Sequence, residues 1–241
     1  MDAVLFDLGE TLIHLDPEDK KRIENGRLEM VQGYLSARGL RFTVDVLREV
    51  YYRSVEALSD ESEREAHIQS IFAEMLRRLL VNGSPIDLRE LERVFYQGEV
   101  EAWKLFPDAI PCLDHALKAG FKLGLVSNAR SDWAVREVLE RLGLNKYFGA
   151  AVTSAQVGWR KPNPEPFMKA LEILGEVPEH AAFIGDTFSA DIVGAKEVGM
   201  KAVFLNRNDD PTPMVHGVAP DYTIKDLREG IDVIRILSQN I

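Results

Sequence analysis

The stretch FDLGETL, residues 6–12, closes an apolar run on an aspartate and turns through glycine into threonine. Asp7 at its head is a candidate nucleophile. Further along stand Ser127 and Asn128 in VSN, Lys161 in GWRKPNPEPF, and the pair Asp186 and Asp191 in GDTFSAD. Phosphoryl transfer needs an in-line nucleophile, a divalent cation to offset charge and donors around the equatorial oxygens. Mg²⁺ prefers carboxylates, carbonyl oxygens and water, which Asp7, the main-chain carbonyl at Gly9, Asp186 and Asp191 can provide. Lys161 lowers the repulsion between an anionic nucleophile and an anionic substrate. The Ser127 hydroxyl, Asn128 and the amides of the loop after Asp7 are the candidate phosphate donors.

These residues act together only if a scaffold gathers positions 7, 127, 161 and 186. Five short apolar runs, AVLFD, FKLGLVS, GAAVT, AAFIGD and KAVFL, read as strands buried on both faces. Helix-length stretches ending at glycines such as Gly143, Gly175 and Gly199 separate the later ones. That alternation is a parallel α/β sheet, whose ligands gather at the carboxyl ends of the strands, where these residues lie.

From Pro17 to about Leu105 the chain shows only helical periodicity. The stripes are Ile23, Val31, Tyr34 and Leu35; Leu47, Val50, Ser54 and Leu58; Ile68, Ile71, Phe72, Met75 and Leu79, stopping near Asn82 and Gly83; and Leu88, Leu91, Val94 and Phe95. The expected architecture is a Rossmann-like parallel-sheet core, residues 1–13 and 107–241, with an α-helical cap, residues 14–106, inserted after the first strand.

Composition narrows the partners. A net charge of -10 with no clustered basic patch disfavours nucleic acid, and no apolar run approaches the length needed to span a bilayer. The apolar AVLF is too short for a secretion signal and has no basic leader. The sole cysteine, Cys112, excludes an intramolecular disulfide, reads as a small buried side chain and fits a reducing, cytoplasmic setting. A monomer or homodimer acting on a small phosphorylated metabolite is expected.

In order and spacing, FDLGETL, VSN, KPNPEPF and GDTFSAD resemble the four motifs of the haloacid dehalogenase superfamily, and the resemblance spans essentially the whole chain. It implies a phosphatase of the phosphoglycolate phosphatase type with a C1-type helical cap, Mg²⁺ as cofactor and Asp7 as covalent nucleophile. The chain departs from that pattern at Gly9. Most phosphatases of the superfamily carry there a second aspartate, which protonates the leaving oxygen and later activates water; glycine retains only the carbonyl that coordinates the metal.

Dehalogenases and phosphonate-cleaving members of the superfamily also lack that aspartate. The former need no Mg²⁺, yet both acids of GDTFSAD are present; the latter use a cap lysine, and Lys20 and Lys21 sit in an ordinary charged first turn. A phosphatase that takes its acid from another residue is therefore the leading reading. Glu10, His14 and Asp16 are the nearby candidates, against plainer roles as a solvated acid, a partly buried histidine and the N-cap before Pro17. A receiver-type signalling domain would not carry the cap, whereas a phosphate-binding regulatory protein without turnover stays open. Trp159 is expected to pack against the core rather than line an entrance.

Overall fold

The computed structural model describes residues 1–59, 63–81, 86–209 and 217–238. Among them are eight strands: β1 (Ala3–Phe6), β2 (Ile13–His14), β3 (Lys104–Leu105), β4 (Lys122–Ser127), β5 (Ala150–Thr153), β6 (Ala181–Gly185), β7 (Lys201–Leu205) and β8 (Tyr222–Ile224). Six of them form one parallel sheet in the order β5-β4-β1-β6-β7-β8. The sheet confirms the Rossmann-like α/β core. All four residues of β1 are fully buried, because both faces of this inner strand are covered, and the run AVLF is continuous for that reason. From β1 the chain passes first to β4 and later to β6 on the opposite side, so the crevice at the end of β1 is a topological switch point.

Four helices, α1 (Pro17–Ser36), α2 (Val44–Leu58), α3 (Ile68–Arg78) and α4 (Leu88–Ala102), fill the interval between β2 and β3. The predicted stripes hold for α1 and α3. In α2 the buried positions are Leu47, Tyr51 and Ser54, while Leu58 is exposed in the last turn. The stop expected at Asn82 and Gly83 lies outside the described residues. The helical interval also ends earlier than expected: Lys104 and Leu105 pair antiparallel with His14 and Ile13, so both crossings into the helical insert are tied in one two-residue ribbon.

The other helices are α5 (Ala109–Lys118), α6 (Asp132–Arg141), α7 (Ser154–Val157), α8 (Pro164–Leu174), α9 (Val193–Glu197) and α10 (Leu227–Ser238). Cys112 is buried in α5, and burial pushes its thiol up to about 12, far from a reactive thiolate. Trp159 is half-buried, but its partner is Arg64 of the insert, whose guanidinium lies 4.6 Å from the ring centroid, and not the core. No helix among the described residues is long and apolar enough to cross a membrane.

Candidate active site

Three adjacent strands deliver the chemistry. Asp7 follows β1, Ser127 ends β4 and Asp186 follows β6, so their side chains emerge side by side from the same sheet edge. Lys161 arrives from the loop after α7 and is almost wholly buried. Its Nζ donates to Asp7 Oδ1 at 2.6 Å and to the Val126 carbonyl at 2.8 Å, and lies 2.7 Å from Asp191 Oδ1. Burial opposes the charge on this ammonium, but the Asp191 and Asp7 carboxylates outweigh it and hold its pKa above the ordinary lysine value.

Asp191 lies in a single π-helical turn, Phe188–Ile192, ahead of α9. Its carboxylate packs against Gly185 at the end of β6. Its Oδ2 accepts from the Thr187 amide at 2.9 Å. Its buried Oδ1 rests against the Lys161 ammonium. Asp186 Oδ1 accepts from Thr11 Oγ1 at 3.1 Å. Carboxylate oxygens of Asp7, Asp186 and Asp191 all lie within 4.8 Å of one another.

Three acids so close repel. Burial, then the Asp7 and Asp191 charges, raise the Asp186 pKa to about 7. Burial and the Asp7 charge also raise Asp191, against the pull of Lys161. The hard oxygen donors and their mutual repulsion fit a small divalent cation. A raised carboxyl pKa contributes stability that is fully present below its ordinary value near 3.8 and is lost as pH rises through about 7. The metal-free protein should therefore lose thermal stability between pH 5.5 and 8, and millimolar Mg²⁺ should raise the unfolding midpoint more at pH 8 than at 5.5. Thermal scans with and without Mg²⁺ at the two pH values check this; an equal Mg²⁺ effect at both would contradict it.

Gly185 makes this packing possible. A Cβ there would meet Asp191 Oδ2 at 2.3 Å, and Asp191 cannot retreat without leaving Lys161 or the Thr187 amide. Gly185→Ala should preserve the fold and lower Mg²⁺-dependent activity about 10- to 100-fold, the range for losing a group that orients a metal ligand. Unchanged activity at saturating Mg²⁺ would contradict that placement of Asp191.

The side chain of Asn128 is committed to Lys161: it accepts from the Lys161 amide at 2.7 Å and donates to the Lys161 carbonyl at 3.0 Å. It thus holds the Lys161 main chain beside the cavity. Gly9 has a backbone outside the left-handed region, and its carbonyl accepts none of the loop's main-chain hydrogen bonds.

Asp7, Gly9, Ser127, Asn128, Lys161 and Asp191 line one cavity of about 770 Å³ between the sheet edge and the helical insert. Glu10 and His14 do not; they line a second cavity on the far side of Asp186, beside Arg207. Asp16 occupies the N-cap position of α1, but its side chain makes no capping bond and pairs with Lys104 instead.

Sequence reading missed several residues. Thr11 stands inside FDLGETL, and its pairing with Asp186 spans 175 positions. Arg207 donates to both oxygens of Asp108, at 2.8 and 3.0 Å, and to the Thr11 carbonyl at 2.9 Å, pinning the loop after Asp7 to the return crossing. The insert supplies Arg27, Tyr51, Tyr96, Glu99 and Trp103 to the cavity wall. Its Glu65 carboxylate, buried, accepts from Arg160 at 2.7 Å.

Known proteins share this fold. Residues 1–199, which include all the acids and the lysine above, match the haloacid dehalogenase-like hydrolase family. A glyceraldehyde 3-phosphate phosphatase of Methanopyrus kandleri is 33% identical over 99% of both chains. A phosphoserine phosphatase of Thermus thermophilus is 30% identical over 95% of this chain and 97% of its own. Among solved structures, a HAD phosphatase from Thermococcus onnurineus superposes with a TM-score of 0.67 at 27% identity, covering 97% of this chain and 98% of its own. A 2-haloacid dehalogenase from Pseudomonas syringae shares the fold at a TM-score of 0.72 and 24% identity, covering 98% of this chain and 99% of its own. With the match running through every residue of the sheet-edge cluster, the chain belongs to the haloacid dehalogenase-like hydrolase family.

Proposed function

We propose that this protein is a Mg²⁺-dependent phosphatase that cleaves small phosphate monoesters through an aspartyl-phosphate on Asp7. Residues 1–13 and 107–241 are the catalytic core, and residues 14–106 are the cap that excludes water and selects the leaving group. Asp7, Asp186, Asp191 and the Gly9 carbonyl would hold the cation, which supplies charge neutralisation between nucleophile and phosphate when bound.

The chain's own groups do the rest. An Asp7 carboxylate oxygen attacks phosphorus, and the ester oxygen leaves on the opposite side. Lys161, buried and cationic, orients Asp7 and offsets the incoming charge. Ser127 Oγ–H donates to a phosphoryl oxygen, while Asn128 fixes the lysine that sits beside it.

The observation that carries the reading is the third acid. Asp186 within 4.8 Å of Asp7 and Asp191 builds a cation site that a hydrolase releasing halide has no need of. The relatives named for glyceraldehyde 3-phosphate and phosphoserine support small three-carbon esters as the substrate class. The test is phosphate release from an aryl phosphate after chelation and again after Mg²⁺ is restored. Activity that returns with Mg²⁺ is expected; metal-independent halide release from a 2-haloacid, with no phosphatase activity, would favour the dehalogenase reading.

A further inference from the structure

The missing aspartate leaves two proton transfers without an obvious agent. Neither Glu10, His14 nor Asp16 is placed to supply one. Glu10 is exposed in a left-handed backbone conformation, φ 58°, facing the second cavity. His14 packs on Phe106 with ring centroids 4.6 Å apart.

The described residues lining the Asp7 cavity include three acids. Two are Asp7 and Asp191, committed to Lys161 and the cation site; the third is Glu99, from the last turn of α4. Trp103, which follows that helix, ties Glu99 to Gly9. A Cβ on Gly9 would lie 3.6 Å from Cη2 of the Trp103 indole, and the same indole donates Nε1–H to Glu99 Oε1 at 3.3 Å. A carboxylate thus stands one indole away from the place that an aspartate at position 9 would fill. Its other oxygen accepts from Arg27, whose guanidinium packs against Phe95 and Tyr96 at 5.2 and 5.7 Å.

We propose that Glu99 is the general base for hydrolysis of the aspartyl-phosphate. The proposal rests on the phosphatase reading above. A water oxygen bonds to phosphorus while one of its protons passes to a Glu99 carboxylate oxygen. The bond from phosphorus to the Asp7 oxygen breaks, its electron pair restores the Asp7 carboxylate, and hydrogen phosphate departs. Glu99 then gives its proton to solvent, matching the one the departed alkoxide or phenoxide takes up, so the sum is ester plus water giving alcohol plus phosphate. In the first half-reaction Glu99, acting as a base, gives no proton to the leaving oxygen.

The experiment is rapid-quench turnover of p-nitrophenyl phosphate with Mg²⁺ by the full-length protein and by Glu99→Gln. The amide keeps the shape and the bond from Trp103 but cannot act as base. The variant should release a burst of about one equivalent of p-nitrophenol and then turn over about 10²-fold more slowly than wild type, with phosphorylated protein accumulating. Trp103→Phe, which keeps an aromatic ring but loses the indole donor, should show a smaller burst of the same kind. Gly9→Asp added to Glu99→Gln should abolish the burst and recover rate.

Wild-type rates in Glu99→Gln, or a slowed variant with no accumulated phosphoprotein, would overturn the base assignment while leaving the phosphatase reading standing. If Glu99→Gln proves unfolded, Trp103→Phe decides: a folded Trp103→Phe protein with wild-type turnover and no burst overturns it. Absence of aryl phosphate hydrolysis in wild type would overturn both.

Discussion

Asp7→Asn should abolish phosphate release, with a loss on the order of 10⁴-fold or more, as when a covalent nucleophile is removed. The amide cannot form the acyl phosphate and is a poorer ligand for the cation. The fold should survive. Lys161 keeps Asp191 and the Val126 carbonyl as partners, and removal of one carboxylate relieves the repulsion that burdens Asp186. The metal-free variant should therefore unfold at or above the wild-type midpoint, the usual exchange of activity for stability at a crowded charged site. Phosphate assays beside thermal scans check both halves. A folded Asp7→Asn protein that still turns over would rule out attack by this carboxylate.

The second large effect concerns the leaving group. With glycine at position 9 and Glu99 acting as a base, no described residue is placed to protonate the departing oxygen, so its basicity controls the first step. Aryl phosphates should exceed alkyl phosphates in kcat/KM by about 10²- to 10⁴-fold, the span of general-acid contributions. Gly9→Asp should restore roughly the lower end of that range, about 10²-fold, for alkyl esters alone. The backbone permits it: Gly9 is not in a left-handed conformation, and the new Cβ makes only ordinary contact with Trp103. Kinetics on a series of esters of graded leaving-group pKa measure this directly. Equal rates on alkyl and aryl esters, unaltered by Gly9→Asp, would show that protonation does not limit the reaction.

Much of this site was legible in the sequence because its scaffold repeats one physical signal. Parallel strands covered on both faces read as short apolar runs, as β1, β4, β5, β6 and β7 do, and three of them, β1, β4 and β6, lead to Asp7, Ser127 and Asp186. Strands β2, β3 and β8 were not legible. The first two are two residues long, and Tyr222 and Thr223 of β8 are exposed, so no periodicity can develop. The insert's share of the cavity was hidden for another reason. Glu99 sits among the charged residues of α4, and only the tertiary approach of Trp103 to Gly9 separates it from a solvated glutamate. Glu65 likewise reads as surface charge until Arg160, 95 positions away, closes over it. Asn128 was recognised as a site residue, but a sequence cannot say that both ends of its amide grip Lys161.

The covalent step is the centre of the mechanism, and it can be seen directly. Wild-type protein mixed with p-nitrophenyl phosphate and Mg²⁺ should be acid-quenched within the first turnovers, digested and weighed by mass spectrometry, with Glu99→Gln as the accumulating form. The expected result is one phosphoryl group on the peptide that contains Asp7, cleaved by hydroxylamine as an acyl phosphate and absent from Asp7→Asn. Phosphate on any other residue, or steady turnover with no phosphorylated peptide in either protein, would contradict an aspartyl-phosphate on Asp7.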